Sequence, residues 1–280
     1  MSFGSGYGEV RLKQEESPIE QVITEILRSS KYKSIDKQII RKIAEKEFSK
    51  NKKIGETVKA TKNKLHQVGG AFYSNQPKYS SWLRELKSSK GSGGDQFRET
   101  CARIMSFHSS TKERLEILDK FYADIFSEIS TVNSVIDLAC GLNPLSILWM
   151  PHFEELEYYA YDIYADLVDF LNAFIELVAV DGHAEVRDVL FNPPKRKGDL
   201  ALILKTVPCF DQINTRAVPK MLEQVNVDNL VISFPVKSLG GIEKMMVKNY
   251  TERFDKIACE KDWDIKKMLF KTELVFLVSK

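Results

Sequence analysis

Three aspartates accompany three short apolar segments in the second half of this 280-residue chain. Asp137 lies in the first segment, Asp162 ends the second and Asp188 follows the third. A carboxylate accepts hydrogen bonds from the hydroxyls of a ribose or from the amino group of an adenine. An aspartate at the end of a strand more often caps a turn or a helix. The regular placement of all three nevertheless indicates a nucleoside-binding site.

The first segment runs into a turn of small residues, Ala139-Cys140-Gly141, followed by Asn143. A glycine there lets the backbone approach a ligand closely at the carboxyl end of a strand. A dinucleotide fingerprint requires three glycines in the pattern G-x-G-x-x-G, and this turn has Gly141 alone. The sequence therefore predicts a cofactor without a pyrophosphate.

Short apolar runs alternate with helical stretches from Val132 onward, which is typical of βαβ units around a parallel sheet. The last two runs are too close for a crossover helix, so we expect an antiparallel hairpin at one edge. This predicts a Rossmann-like α/β sheet of seven strands that differs from the usual dinucleotide-binding order. We expect the strands near 134–139, 157–162, 184–188, 199–205, 229–234, 265–271 and 273–279.

The N-terminal part is helical and basic. Ser17-Pro18 begins a first helix, Ser34 is the expected cap of a second, and a third is predicted from about Glu56 to Tyr73. We expect a flexible loop at residues 88–94. Residues 1–90 hold 19 Lys or Arg against 10 Asp or Glu. This excess indicates a surface for a polyanion, although a solvated helical face explains the charge equally well. We predict an all-α domain over 1–105 and the α/β domain over 106–280.

Several classes are disfavoured by composition. The four cysteines form no CxxC pair and have no close histidine, which argues against a zinc site and a disulfide framework, and we expect no metal. No segment approaches ~20 uninterrupted apolar residues, so we expect no membrane partner and a cytoplasmic protein. One large substrate surface and no leftover amphipathic stripe favour a monomer.

Three stretches carry a specific resemblance: Phe107 to Leu115, Asp137 to Pro144 and Ile232 to Leu239. Together they resemble the aminoglycoside-resistance methyltransferases of 16S ribosomal RNA, in particular the guanine-N7 subgroup of actinomycete antibiotic producers and acquired Arm/Rmt-type enzymes. The similarity extends over nearly the whole chain from Ser17, including Lys64 to Gln67 and Phe72-Tyr73.

The resemblance implies a class I S-adenosylmethionine methyltransferase that releases S-adenosylhomocysteine and modifies the helix 44 decoding region of the assembled 30S subunit, giving aminoglycoside resistance. It implies that the cofactor lies at Gly141, with Asp162 on its ribose, Asp188 and Val189 near adenine, and Arg114 at its carboxylate. The other expected cofactor contacts are His108, Ser110, Asp137, Ala139, Asn143, Ile163 and Lys205. For His108, a hydrogen-bonded core histidine is the favoured interpretation over a catalytic one. Many methyltransferases have glycine where this chain has Ala139.

Guanine N7 carries a lone pair at neutral pH, so its methylation requires no general base. Orientation of the reactants, potentially worth ~7–11 kcal/mol, is the main requirement. We expect Lys205, Pro208 and Phe234 to position the reactants, with Phe210 or Phe234 as candidates for stacking on an extruded base; an aromatic residue at a strand end is more often core. The candidate RNA contacts are Lys33, Arg41, Lys59, Lys62, Lys64, His66, Lys237 and Ser238.

Three alternatives remain at this point. Adenine-N1 methylation in the same decoding region characterises a related subgroup, which lacks a long N-terminal helical domain. A non-catalytic RNA-binding protein with a methyltransferase fold would differ in cofactor binding. A nicotinamide oxidoreductase is disfavoured by the missing glycines and the terminal hairpin.

Overall fold

The N-terminal half is helical in the computed structural model, which describes residues 16–70, 72–73, 76–236 and 243–280. The hydroxyl of Ser17 accepts a hydrogen bond from the Glu20 amide at 3.3 Å, so the predicted start of the first helix is confirmed. In the described residues, the α-helices before the sheet are α1 (Pro18–Leu27), α2 (Lys37–Asn51), α3 (Ile54–Leu65), α4 (Tyr79–Lys90), α5 (Gly94–Met105), α6 (Ser109–Arg114) and α7 (Leu118–Phe126).

Three details of the helical prediction are wrong, including the expected end of the third helix at Tyr73. The cap of α2 is Asp36 and not Ser34, because the Asp36 carboxylate accepts from the amides of Gln38 and Ile39 at 2.9 and 3.2 Å. Helix α4 continues to Lys90 and α5 begins at Gly94, so the loop expected at 88–94 shrinks to three residues. Helix α3 ends at Leu65 and a π-helical turn follows at His66–Gly70.

The sheet has seven strands in the order β3-β2-β1-β4-β5-β7-β6. β1 to β5 are parallel, and β7 pairs antiparallel with both β5 and β6, which confirms the predicted edge hairpin. The strands are β1 (Ser134–Leu138), β2 (Glu157–Asp162), β3 (Asp181–Val186), β4 (Gly198–Leu204), β5 (Val227–Pro235), β6 (Asp264–Leu269) and β7 (Glu273–Ser279).

Strand β3 begins earlier than the hydrophobic pattern predicts. It is an edge strand whose first three residues are exposed, so they carry no hydrophobic signal. Gly182 lies there with φ +131°, and a side-chain carbon on it would meet the Tyr158 carbonyl oxygen at 1.9 Å. Only glycine fits at this close approach of β3 to β2.

Helices cover both faces of the sheet. Successive strand residues such as Val135 and Ile136 belong to separate hydrophobic clusters, because side chains alternate across a strand. α4, α5, α7 and α8 (Ala165–Val178) pack on one face, and α9 (Val207–Asn214), α10 (Ala217–Gln224) and α11 (Glu243–Ala258) pack on the other. A third cluster joins α1, α2 and α3. The domain boundary after residue 105 stays a prediction.

Main-chain hydrogen bonds join the N-terminal helices to the sheet. Ile35 and Tyr164 form an antiparallel bridge, with the Asp36 amide donating to the Ile163 carbonyl at 3.0 Å and the Ala165 amide donating to the Ser34 carbonyl at 2.8 Å. These contacts fix the N-terminal helices against the segment that follows β2. Across the described ranges, no helix is long and apolar enough to cross a membrane.

Candidate cofactor and RNA site

A cleft opens at the carboxyl ends of β1, β2 and β4. Eleven residues expected at the cofactor line it: His108, Ser110, Arg114, Asp137, Ala139, Gly141, Asn143, Asp162, Ile163, Val189 and Lys205. The expected strand-end site is therefore one continuous surface.

The turn after β1 forms the floor of this cleft. Ala139 and Gly141 both have φ +53°, a left-handed conformation that costs a non-glycine residue about 1–2 kcal/mol. A side-chain carbon on Gly141 would lie 3.0 Å from two ring atoms of His108. The amide of Gly141 donates to Asp162 at 2.9 Å, so the turn and the end of β2 hold each other in place.

Asp162 is buried at the end of β2. One carboxylate oxygen accepts from Gly141, and the other accepts from the amides of Ile163 at 2.7 Å and Tyr164 at 3.3 Å. Burial raises the pKa of the Asp162 carboxyl, and these three amides oppose that effect. A carboxylate has about four acceptor positions, so Asp162 can accept one further hydrogen bond.

Asp137 is the centre of a buried polar network. Its Oδ2 accepts from the Tyr158 hydroxyl at 2.6 Å and from the Asn143 side-chain amide at 2.9 Å. Burial raises the pKa of Asp137 to about 6, although both hydrogen bonds act in the opposite direction. A third donor, positively charged and inside the cleft, would stabilise the ionised form of Asp137.

The guanidinium of Arg114 is completely buried. Its Nη1 donates to the Asn143 side-chain oxygen at 2.8 Å, and its Nε lies 2.8 Å from Glu273 Oε1. Burial acts to lower the pKa of Arg114, but Glu273, Tyr122 and Asp137 together outweigh this effect and raise the pKa. Arg114 therefore stays charged at the wall of the cleft, with its orientation fixed by Glu273.

Lys205 lies at the end of β4 with φ +58°. Its ammonium group is 2.8 Å from Glu113, 3.3 Å from Glu273 and 3.2 Å from the Ser110 carbonyl oxygen. Two carboxylates and a carbonyl hold the ammonium against the cleft wall, where it can act on a bound ligand.

His108 joins the helical segment to the cleft. Its ring stacks on Phe72 at 5.2 Å between centroids and meets Tyr73 edge-on at 4.9 Å. Its buried Nδ1 has no hydrogen-bond partner in the described part of the chain, so the expectation of a hydrogen-bonded core histidine is wrong in that respect. Burial, with the nearby charges of Arg114 and Lys205, lowers the pKa of His108 to about 3.

Two expected residues lie apart from the cleft. Asp188 pairs with Lys42 of α2 at 2.7 Å and does not line the cleft, whereas its neighbour Val189 does. Phe234 is fully buried and stacks on Tyr250, so this structure places it in the core, where no base can reach it. A residue at the end of a central strand points into the core when helices cover both sheet faces.

Pro208 starts α9 beside the cleft, and Phe210 two residues later lines it. Phe210 is almost completely buried. Of the two aromatic residues that we expected to stack on a base, Phe210 lines the cleft and Phe234 does not.

The basic residues expected to contact RNA lie on the surface of the helical segment. Lys33, Lys59 and His66 are exposed, and Arg41, Lys62 and Lys64 are half-buried. Arg41 pairs with Glu20, and His66 Nδ1 lies 2.9 Å from the Lys31 ammonium. Lys237 and Ser238 lie outside the described residues.

The sequence analysis missed several residues of the site. Phe72 and Tyr73 line the cleft from the helical segment, and Tyr164 lines it after β2. Glu273 anchors both Arg114 and Lys205. Its only sequence signal was a carboxylate at the start of an otherwise apolar strand. The described residues contain no cluster suited to a metal ion, and their four cysteines are free.

A Rossmann-like sheet with a reversed terminal hairpin, and a cleft with acidic strand ends but no glycine-rich phosphate loop, defines the class I methyltransferase type. The family model described as "Ribosomal RNA methyltransferase (FmrO)" matches residues 28–277. The chain belongs to this family, which confirms the resemblance seen in the sequence.

A relative from Micromonospora echinospora, the 16S rRNA (guanine(1405)-N(7))-methyltransferase, is 34% identical over 268 residues, covering 95% of this chain and 98% of the relative. The solved structure of the 16S rRNA methylase RmtB is 29% identical with a TM-score of 0.76, covering 94% of this chain and 98% of that one. The structure of the 16S rRNA methyltransferase RmtF in complex with S-adenosyl-L-homocysteine has a TM-score of 0.83 at 24% identity, covering 95% and 99%. These likenesses confirm the predicted fold class.

Proposed function

We propose that this protein transfers the methyl group of S-adenosylmethionine to N7 of guanine 1405 of 16S ribosomal RNA and thereby gives resistance to aminoglycosides. The supporting observation is that the family and the named relative span almost the whole chain, including both the helical segment and the cleft. A shared cleft alone would support only the fold class, because one fold hosts many reactions.

The residues of the cleft fit an adenosyl amino-acid cofactor. The left-handed turn at Ala139 and Gly141 brings backbone to the ligand surface, where a side chain on Gly141 would meet His108. Asp162 has acceptor capacity for one ribose hydroxyl, and Val189 offers an apolar contact for adenine. Arg114 matches a carboxylate, and Asp137 matches an ammonium group. None of these side chains needs a phosphate group on the cofactor as its partner.

S-adenosylmethionine supplies an electrophilic methyl group on a sulfonium. The protein's own contribution is to hold the acceptor base in line and to exclude water, because guanine N7 needs no proton removed. We assign positioning to Lys205, whose ammonium is held by Glu113 and Glu273 at the cleft wall, and to Phe210 and Pro208 at the start of α9.

We further propose that the substrate is the helix 44 decoding region of the assembled 30S subunit in the cytoplasm, and that the enzyme acts as a monomer. The basic helical segment supports this proposal. Lys33, Lys59 and His66 are exposed along it, and Lys62 and Lys64 are partly exposed. Contacts of this kind with RNA phosphates make affinity fall steeply with salt.

The decisive experiment is tritiated methyl transfer from S-adenosylmethionine to purified 30S subunits, to free 16S RNA and to 50S subunits, followed by mapping of the modified base. Incorporation into 30S subunits at N7 of the decoding-site guanine is the expected result. Modification at adenine N1 would assign the protein to the related subgroup. Cofactor binding without incorporation into any of the three would overturn the proposed substrate.

A further inference from the structure

A second cavity lies between the helical segment and the α/β domain. Its walls come from α2, α3, the turn after β3 and the carboxyl end of α9. Of its lining residues, Lys64 alone has a role assigned above, as a candidate RNA contact.

Lysines dominate the polar lining of the cavity. Lys42, Lys46 and Lys64 face it, and its one acidic lining residue, Glu47, is ion-paired with Lys50 at 2.7 Å. Among the described residues, the ammonium groups of Lys46 and Lys64 donate to neutral oxygens, the Ile213 carbonyl and the Gln67 side chain. An ammonium has three donors, so both lysines keep charge and donors for an anion.

Phe191 adds an aromatic surface to the lysines. Its side chain is 42% exposed, which is unusual for a phenyl ring in the described part of this chain. The Lys42 ammonium lies 4.7 Å from the ring centroid and pairs with Asp188 on the same turn. An accessible ring beside lysines is the composition of a single-stranded nucleic-acid site, where the ring stacks on a base and the lysines hold phosphate.

The second cavity adjoins the cofactor cleft. The turn after β3 contributes Val189 to the cleft and Phe191 to the cavity. In the same way, α9 contributes Cys209 and Phe210 to the cleft and Ile213 to the cavity. One turn and one helix therefore separate the cleft from the second cavity.

We propose that this cavity binds a second nucleotide of the RNA substrate, distinct from the methylated one, with its base against Phe191 and its phosphate at Lys46 and Lys64. This inference rests on the proposed RNA methylation and adds a binding site to it. Lys42, Lys46 and Phe191 then join Lys64 as residues that determine how the substrate is held.

The first test compares Phe191→Ala and Phe191→Trp with the unaltered protein in equilibrium binding to 30S subunits and in calorimetric titration with S-adenosylhomocysteine. Loss of one stacked base weakens binding about tenfold or more. We expect that loss for Phe191→Ala, retained affinity for Phe191→Trp, and S-adenosylhomocysteine affinity within about twofold for both. Leu269→Ala is the matched control, because Leu269, on β6, is also an exposed apolar side chain. We expect this variant to keep full 30S affinity.

A second measurement addresses the lysines. Each phosphate that a protein neutralises contributes about one unit to the slope of log affinity against log salt. Because Lys46 and Lys64 are proposed to hold one phosphate, Lys46→Gln with Lys64→Gln is expected to reduce that slope by about one, and Lys220→Gln on α10 to leave it unchanged. An unchanged slope for the pair, or unchanged 30S affinity for Phe191→Ala, would overturn the inference.

Photo-crosslinking identifies the occupant directly. With p-benzoylphenylalanine in place of Phe191, the expected crosslink is to a nucleotide of 16S RNA other than the methylated guanine. A crosslink to a ribosomal protein would instead assign the cavity to a protein partner and refute the nucleotide site. If the proposed function itself is wrong, the unaltered protein will transfer no methyl group to 30S subunits. That result is distinct from a failure of the second nucleotide site.

Discussion

Replacing Gly141 by alanine tests the close packing at the floor of the cleft. The positive φ of this position costs an alanine about 1–2 kcal/mol. Its added carbon would also lie 3.0 Å from two atoms of the His108 ring. That ring is confined between Phe72 and Tyr73, so the overlap should add about 1–3 kcal/mol, as in other overpacked sites. We expect a total loss of about 2–5 kcal/mol in the free energy of unfolding.

A double-mutant cycle separates the two contributions. In a His108→Ala background the overlap is absent, and only the cost of the positive φ remains for Gly141→Ala. Urea unfolding of the four proteins measures the coupling, which we expect to be about 1–3 kcal/mol. S-adenosylhomocysteine titration should show weaker binding for Gly141→Ala alone, since the displaced turn carries the hydrogen bond to Asp162.

Ala139 provides a matched control, because it has the same φ of +53° and already carries a side-chain carbon. Ala139→Gly should leave stability unchanged or raise it slightly, since the relief of strain and the greater freedom of the unfolded chain oppose each other. If Gly141→Ala lowers the free energy of unfolding equally with and without the His108 ring, the proposed overlap is refuted. A cost below about 0.5 kcal/mol in both backgrounds would refute the strain argument as well.

Three further predictions concern buried titratable groups. The pKa of His108 is lowered from 6.5 to about 3, so the unfolded chain binds a proton that the folded chain does not, and stability is lost as pH falls below about 6.5. At pH 5 this loss is about 2 kcal/mol, and urea unfolding of His108→Phe should lack it; identical pH profiles of the two proteins would contradict the cause given. The pKa of Asp137 is raised from 3.8 to about 6, so its ionisation destabilises the fold as pH rises between those values. Asp137→Asn, whose side-chain oxygen can still accept from Tyr158, should therefore gain about 3 kcal/mol relative to the unaltered protein between pH 3.5 and pH 8, and a constant difference would refute this. Asp162→Asn should weaken S-adenosylhomocysteine binding about tenfold or more in calorimetry, since hydrogen bonds to a charged acceptor contribute about 1.5–3 kcal/mol; unchanged affinity would remove Asp162 from the proposed ribose contact.

The strand-end part of the site was predictable because the carboxyl ends of parallel strands meet at one edge of a sheet. Asp137, Gly141 and Asp162 each follow an apolar run, and local sequence is enough to place them together. The antiparallel hairpin at the end of the chain was also predictable, because the short spacing between the last two apolar runs excludes a crossover helix.

The remaining parts depend on contacts between distant segments. Lys42 pairs with Asp188 although 146 positions separate them, and no local pattern marks either partner for the other. Glu273 reaches Arg114 across 159 positions. Phe234 has the same sequence signal as an exposed aromatic at a strand end, and only the packing of α11 on that face places it in the core. Such outcomes are set by tertiary packing and not by periodicity.

The bridge between Ile35 and Tyr164 bears on how the chain folds during its own synthesis. The helices α1 to α3 leave the translating ribosome first, but their hydrogen-bond partners after β2 are made 129 residues later. At typical rates of about 5–20 residues per second, that interval lasts about 6–26 s. During that time the Asp36 amide and the Ser34 carbonyl lack these two partners. The basic helices of a nascent chain thus spend several seconds without the segment after β2 that later holds them in place.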